Sequence, residues 1–97
     1  MKAEFSMKPN EIQFSLNLEA LSAPQCRRII EALIDKPMSF TELSKTCKLT
    51  PASINKHLEI LKASGLVKVR AVNGVQLVQI QKSKFKPTLD WFSNLLS

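Results

Sequence analysis

The stretch "LTPASINKHLEILKASGLV", residues 49–67, concentrates side chains that can hydrogen-bond a nucleic acid. Those in its first half are Thr50, Ser53, Asn55, Lys56 and His57. An asparagine amide can bond the edge of adenine, and a lysine can bond guanine or a phosphate. Three nearby lysines add positive charge: Lys45, Lys48 and Lys62. These residue types indicate a candidate DNA-contacting surface; the alternative is that they are solvated polar residues of an ordinary amphipathic helix.

The same stretch predicts the helix that would hold these side chains. Thr50 is the expected N-cap, and Pro51, also a candidate contact residue at the tip, suits the first helical position. Apolar residues recur at the helical period and are expected to face the core: Ile54, Leu58 and Leu61. The polar residues from Ser53 to His57 are then expected on the other faces. At the far end we expect Ser64 as C-cap, Gly65 in the left-handed conformation and Leu66 packed back on the helix.

A shorter helix is expected just before this one. Ser39 and Glu42 have the spacing of a capping box, and Met38 and Leu43 occupy the positions of a hydrophobic staple. The residues expected on its buried side are Phe40, Leu43 and Cys47. The connection "CKLT" is short. Two helices joined by about three residues predict a helix-turn-helix over about residues 39–64.

A β-hairpin is predicted to follow, over about residues 66–81. Asn73 and Gly74 are the favoured pair for a two-residue type I′ turn, which pairs Val72 with Val75 and Val69 with Val78. One face of the hairpin then carries Val67, Val69, Ala71, Val78 and Ile80. Because side chains alternate along a strand, Lys68 and Arg70 point the other way.

The flanking segments predict further helices. The segment "NEIQFSLNLEAL" alternates apolar and polar residues as a strand does, yet Asn10 and Gln13 have capping-box spacing, and a helix over about 11–21 is favoured. Ser22 and Gln25 have the same spacing ahead of the second helix, whose first turn suits Pro24. The last helix, over about 87–96, is too short to be stable alone, so it must dock on another apolar surface.

Composition sets limits on the class of protein. The 97 residues carry a net charge of +6, which favours polyanionic partners, and 44% of them are apolar, as in a globular domain. We expect one domain over residues 1–97. The N-terminal "MKAEFSMKPNE" has no apolar core of signal-peptide length, and no stretch approaches the length of a membrane span. We therefore expect a cytoplasmic protein with no membrane partner.

The segment "LSAPQCRRIIEALIDKPMSFTELSKTCKLTPASINKHLEILKASGLVKVR" resembles the ArsR-type (ArsR/SmtB-like) transcriptional repressors. The resemblance extends from about residue 18 to residue 80, and its most specific part is "LTPASINKHLEILKASGLV". It implies a fold that is mainly α with a β-hairpin, the winged helix-turn-helix. It also implies a homodimer that binds double-stranded DNA, with the fourth helix of each subunit in successive major grooves.

The resemblance assigns roles to particular residues. The first and last helices would form the dimer interface, with Phe14, Leu18, Leu89, Trp91, Phe92, Leu95 and Leu96 as the expected contacts. The polar residues from Thr50 to His57 would contact DNA, with Asn55 on adenine, Lys56 on guanine or phosphate and His57 on phosphate. Many family members carry arginines at the tip of the wing, whereas "AVNGVQLV" has none and leaves only Lys68 and Arg70 at the wing's base.

The sequence offers poor ligands for a metal. The paired cysteines of many ArsR-type sensors align with Ser39 and Thr41, and the last helix has no histidine. Two separated cysteines and one histidine do not make a thiolate and imidazole cluster, so no metal or cofactor is expected. Cys26 and Cys47 lie on predicted apolar stripes, where a cysteine usually acts as a small hydrophobe. The alternative is an oxidant-responsive thiol pair, which requires an accessible thiolate of low pKa.

Catalysis is not expected. No nucleophile, base and orienting group cluster in the sequence, and no glycine-rich phosphate loop occurs. The favoured interpretation is a DNA-binding transcriptional regulator. The alternative is a winged-helix module that docks proteins or binds DNA without sequence preference, and salt-dependent DNA affinity distinguishes these cases.

Overall fold

The computed structural model describes residues 6–97. The first five residues belong to the expected domain and to the N-terminal stretch "MKAEFSMKPNE", and they lie outside the described residues. The elements, in chain order, are α1 Pro9–Leu21, α2 Pro24–Leu33, β1 Met38–Ser39, α3 Phe40–Cys47, α4 Pro51–Ser64, β2 Val67–Val72, β3 Val75–Ile80, a 3₁₀ helix Lys82–Phe85 and α5 Lys86–Leu96. The expected fold class, mainly α with a β-hairpin, is confirmed. The ambiguous first segment is helical.

The starts of α3 and α4 follow the predicted capping signals. Ser39 Oγ accepts a hydrogen bond from Glu42 N at 3.1 Å, and Ser39 N donates to Glu42 Oε1 at 2.9 Å. The backbone hydrogen bond from Ser39 lowers the pKa of the Glu42 carboxyl. Thr50 Oγ1 accepts from Ser53 N at 3.1 Å, ahead of Pro51 at the first helical position. Local sequence therefore defines where both helices of the helix-turn-helix begin.

Two other expected caps are wrong. The N-cap of α2 is Ala23 rather than Ser22, whose hydroxyl donates to Glu19 O at 2.7 Å and closes α1. The N-cap of α1 is Lys8 rather than Asn10. In both cases a proline occupies the first helical position, and a proline disfavours helical geometry in the residue before it. That preceding residue is therefore extended and becomes the cap, even where its side chain cannot accept a hydrogen bond.

The end of α4 turns the chain sharply into the hairpin. Gly65 has φ 84°, a left-handed conformation that costs glycine little, and it is Gly65 rather than Ser64 that caps the helix. Leu66 N donates to Leu61 O at 3.1 Å, the bond expected of this type of helix ending. The buried Leu66 side chain then starts the path into β2.

The wing is a hairpin with a short third strand at its edge. Its register is as predicted, with Val72 opposite Val75 and Val69 opposite Val78. Asn73 and Gly74 have φ 52° and 79°, as a type I′ turn requires. Strand β1 was not predicted; it pairs with β3 and gives the strand order β1-β3-β2. Two residues are too few to show a period-two pattern.

The core lies between the inner faces of α2, α3, α4 and the base of the hairpin. Its buried apolar residues are Ala20, Cys26, Ile29, Leu33, Leu43, Cys47, Ile54, Leu58, Leu61, Leu66, Val67, Val78 and Ile80. Ala71 belongs to the inner face of the hairpin by register but is exposed, because it lies toward the tip. Within residues 6–97 no helix is long and apolar enough to cross a membrane.

Candidate nucleic-acid interface

The N-terminal half of α4 presents a polar surface to solvent. Thr50, Pro51, Asn55 and Lys56 are exposed, and Ser53 is half-buried beside the cap. The backbone N–H groups in the first turn of a helix have no partner within the helix, and the helix dipole makes this end positive. The tip of α4 therefore combines side-chain donors with a positive end suited to phosphate.

His57 does not belong to this surface. It is 8% exposed, and its Nδ1 donates to Ser53 O at 2.7 Å, one turn back in the helix. The expectation that His57 lies on an exposed face is wrong. An apolar stripe on a globular helix is more than about 100° wide, and His57 falls within it, three residues after Ile54 and four before Leu61.

The turn between α3 and α4 is held by backbone and side-chain bonds. Leu49 N donates to Ser44 O at 3.1 Å, and Ser44 Oγ donates to Leu49 O at 2.5 Å. Lys48 ends α3 in the left-handed conformation, with φ 55°. Three residues thus separate the two helices, and this fixed turn sets the angle at which α4 leaves α3.

The predicted phosphate contacts differ in their surroundings. Lys45 and Lys48 are exposed, on the last turn of α3 and just after it. Lys62 is also exposed, but its Nζ lies 3.1 Å from Glu59 Oε2. The carboxylate of Glu59 places a negative charge on the exposed side of α4, and it offsets the charge of Lys62 locally.

Lys68 and Arg70 lie on the outer face of the wing, and both are exposed. Arg70 Nε donates to Gln79 Oε1 on the neighbouring strand at 2.7 Å, so one N–H group of the guanidinium is engaged within the wing. Gln79 was not among the predicted residues, although its place opposite Lys68 follows from the hairpin register. The tip of the wing exposes Val75, at 50%, rather than a cation.

A second surface, formed by α1 and α5, is apolar. Phe14 and Trp91 stack within the chain with ring centroids 5.2 Å apart, and Trp91 meets Phe92 edge-on at 5.1 Å. The exposed members of the predicted dimer interface are Leu18, Leu89, Trp91, Phe92, Leu95 and Leu96, at 44–80%. Ile12 and Leu16 are exposed on the other flank of α1 and were not in the predicted set.

Both cysteines are buried, at 0% for Cys26 and 2% for Cys47. The Cys26 thiol donates to His57 O at 3.8 Å, and the Cys47 thiol donates to Arg28 O at 3.7 Å. Burial raises the pKa of both thiols, and the nearby Arg28 only partly opposes this at Cys47. The residues that the structure describes contain no group of three or more ligating side chains that could hold a metal ion. The geometry favours the small-hydrophobe interpretation of both cysteines.

Taken together, two helices joined by a three-residue turn, a capped second helix and an adjoining hairpin define a winged helix-turn-helix protein. A model of the helix-turn-helix domain family matches residues 21–70, just over half of the 97-residue chain. The chain belongs to that family. No curated protein matches it.

Solved structures show the same fold. An ArsR-like transcriptional regulator from Rhodococcus sp. RHA1 is similar with a TM-score of 0.78 at 22% identity, over 86% of this chain and 78% of that one. HlyU from Vibrio cholerae N16961 has a TM-score of 0.73 at 24% identity, over 92% and 97% of the two chains. A homodimeric winged helix-turn-helix DNA-binding domain from Mycobacterium bovis, described as a possible ArsR-family regulator, has a TM-score of 0.72 at 18% identity, over 97% and 90%. The resemblance to ArsR-type proteins is thus confirmed in the fold.

Proposed function

We propose that this protein is a sequence-specific, double-stranded DNA-binding transcriptional regulator that acts as a homodimeric repressor. The observation that carries the proposal is the capped N-terminal half of α4, which exposes Pro51, Asn55 and Lys56 and is flanked by the exposed cations of α3 and the wing. The solved structures of the same fold support it, since they are described as transcriptional regulators and, in one case, as a DNA-binding domain.

In this proposal α4 is the helix that enters the major groove. Its first residues meet base edges, as the recognition helix of a helix-turn-helix does. Asn55 bonds adenine, and Lys56 bonds guanine or a neighbouring phosphate. The Thr50 hydroxyl is already engaged by Ser53 N, so Thr50 contributes mainly by holding the helix end in place. His57 is omitted from the contact set because it is buried.

The remaining cations are proposed to contact the DNA backbone. Lys45 and Lys48 adjoin the tip of α4 and suit phosphates beside the major groove. Lys68 and Arg70 lie on the outer face of the wing and suit phosphates farther along the duplex. Such contacts fix the position of a protein on DNA but carry no sequence information. Sequence readout therefore depends on Asn55 and Lys56.

The homodimer is proposed from the apolar surface of α1 and α5. Trp91, Phe92 and Leu95 remain 45–62% exposed in the single chain, although they lie beside one another on one short helix. An apolar patch of this kind usually marks an interaction surface. The Mycobacterium bovis domain with the same fold is homodimeric. A two-fold dimer would place two α4 helices on two half-sites of a palindromic operator.

The proposal is tested by fluorescence anisotropy with the DNA upstream of the protein's own gene and with a scrambled duplex, at low and at physiological salt. We expect tighter binding to the upstream DNA at both salts and weaker binding as salt rises. Equal binding, or no binding, to the two duplexes at physiological salt would instead favour a nonspecific or protein-docking winged helix.

A matched pair of substitutions assigns the readout. Asn55→Ala should weaken binding to the preferred duplex by about 5- to 150-fold per half-site, the cost of one lost base contact. Asn10→Ala removes an exposed asparagine at the start of α1 and should leave affinity unchanged. Equal effects of the two substitutions would contradict the assignment of Asn55.

A further inference from the structure

A partly buried chain of hydrogen-bonded polar groups links α4 to the two helices of the proposed dimer interface. Gln13 Nε2, on α1, donates to Ser64 O at the end of α4 at 2.8 Å and to Asn17 Oδ1 at 2.7 Å. Asn17 Nδ2 donates to Lys84 O at 2.8 Å and to Thr88 Oγ1, on α5, at 3.0 Å. Four elements of the chain, α1, α4, the 3₁₀ helix and α5, therefore meet at one network.

The network is complete at its centre. Asn17 is 0% exposed, its two amide hydrogens have separate acceptors, and its oxygen accepts from Gln13. Across residues 6–97, every buried side-chain nitrogen or oxygen has a hydrogen-bond partner. A fully satisfied polar network specifies one arrangement of the elements that it joins, because each bond has a required direction. Apolar contacts at the same place would tolerate sliding of one helix past another.

The same end of α4 is held from the wing side. Gln81, just after β3, donates from Nε2 to Gly65 O at 2.8 Å, while its backbone N–H donates to Leu66 O at 2.8 Å. The last carbonyls of a helix have no partner within the helix. Here Ser64 O and Gly65 O are taken up by glutamines from two different parts of the chain, so the C-terminal end of α4 has a defined position relative to both.

We propose that Gln13 and Asn17 are positioning residues that set the orientation of α4 relative to the α1 and α5 surface, and through it the separation of the two α4 helices in the dimer. This inference rests on the proposed function, since it requires a dimer that binds two half-sites. It makes the spacing between half-sites a property of the polar network. Neither residue contacts DNA.

The test compares duplexes that differ only in half-site spacing. Wild-type protein first selects a duplex from a random pool, and derivatives are then made with one or two base pairs added or removed between the half-sites, together with a single half-site. Gln13→Met removes both amide donors and keeps the length of the side chain. We expect nearly unchanged affinity for the single half-site. The spacing penalty, which is the fold-loss of affinity when the half-site spacing is changed, should be smaller than in wild type by about 2- to 30-fold, the range for substitutions within coupled networks.

Two further variants separate positioning from stability. Gln25→Met makes the same chemical change at a half-buried position of α2 outside the network, and it should keep the wild-type spacing penalty. Thr88→Val keeps the shape of the threonine but removes the acceptor on α5, and it should reduce the penalty as Gln13→Met does. Thermal unfolding of each variant identifies any that fails to fold. If one of the two network variants, Gln13→Met or Thr88→Val, does not fold, the spacing series measured on the other one tests the inference.

A measurement without DNA gives an independent readout. Ala63 is exposed on α4, and a spin label at Ala63→Cys reports the distance between the two α4 helices, because the native cysteines are buried. Gln13→Met should broaden the distance distribution of the dimer. A wild-type distribution together with a wild-type spacing penalty would overturn the inference. Failure of wild-type protein to select any duplex would instead overturn the proposed function, and this inference with it.

Discussion

Lys56→Ala is expected to change the salt dependence of DNA binding by an amount that the structure allows us to calculate. Each protomer carries five exposed cations proposed to contact DNA that are not in the ion pair of Lys62 with Glu59: Lys45, Lys48, Lys56, Lys68 and Arg70. A dimer therefore carries ten. If each neutralises one phosphate, the logarithm of the binding constant falls with the logarithm of salt with a slope of about −9.

The substitution removes two of these charges from the dimer, one in each α4. The slope should change from about −9 to about −7, and the loss of affinity between 50 and 200 mM salt should shrink from about 10⁵-fold to about 10⁴-fold. The fold should persist, because Lys56 is exposed and engaged in no ion pair among residues 6–97. Anisotropy titrations of the preferred duplex at four or five salt concentrations measure the slope directly.

Lys86→Ala is the matched control for this experiment. It removes the same charge from α5, where Lys86 Nζ lies 2.9 Å from Asp90 Oδ2 on the exposed surface. An exposed pair of this spacing contributes only about 0.3–0.5 kcal/mol, so the variant should fold and keep the wild-type slope. If Lys56→Ala leaves the slope unchanged, or if Lys86→Ala lowers it equally, Lys56 does not neutralise a phosphate, and the slope calculated from ten phosphate contacts is refuted.

Three further outcomes are expected. Thr50→Ala removes the acceptor of Ser53 N and should lower stability by about 1 kcal/mol, or the melting temperature by about 4–8 °C, whereas Thr50→Ser should remain near wild type in a thermal scan. Leu95→Asp places an unpaired carboxylate in the proposed interface and should weaken dimerisation by about 100-fold or more, whereas Leu95→Met should keep the dimer. Sedimentation at micromolar concentration measures both variants, and a monomeric wild-type protein there would contradict the two-groove arrangement. Burial raises the pKa of the Cys26 and Cys47 thiols, so the unfolded chain loses these protons at lower pH than the folded chain does. The free energy of unfolding should therefore fall as pH rises above about 8.5. Urea unfolding of a Cys26→Ala, Cys47→Ala variant should lack this fall; an identical pH dependence in wild type and variant would show that the thiols do not cause it.

Short-range signals explain what the sequence predicted well. Thr50 and Pro51 start α4 through contacts within one turn, and Asn73 and Gly74 set the register of the hairpin through their own backbone angles. A local signal can still mislead when a second one competes with it. Ser22 has the right spacing to cap α2, but Pro24 makes Ala23 the extended residue, and Ser22 closes α1 instead.

The candidate site was only partly predictable for the same reason. That Asn55 and Lys56 are exposed follows from the position of Ile54 on the helix, because all three belong to one element. The burial of His57 depends on how widely α4 is covered by the rest of the core, and one helix considered alone does not specify that width.

The sequence by itself determined the starts of α3 and α4, the turn between them, the hairpin register and the polar tip of α4, because each depends on residues a few positions apart. Only the tertiary structure decided that β1 pairs with β3 and that Gln13 reaches Ser64, 51 positions away. It also placed Asn17 at the centre of a network that reaches Thr88 on α5. The physical reason is that a hydrogen bond between remote segments has no local spacing to reveal it. Its partners are chosen when the helices pack, since every polar group enclosed there must find a donor or an acceptor.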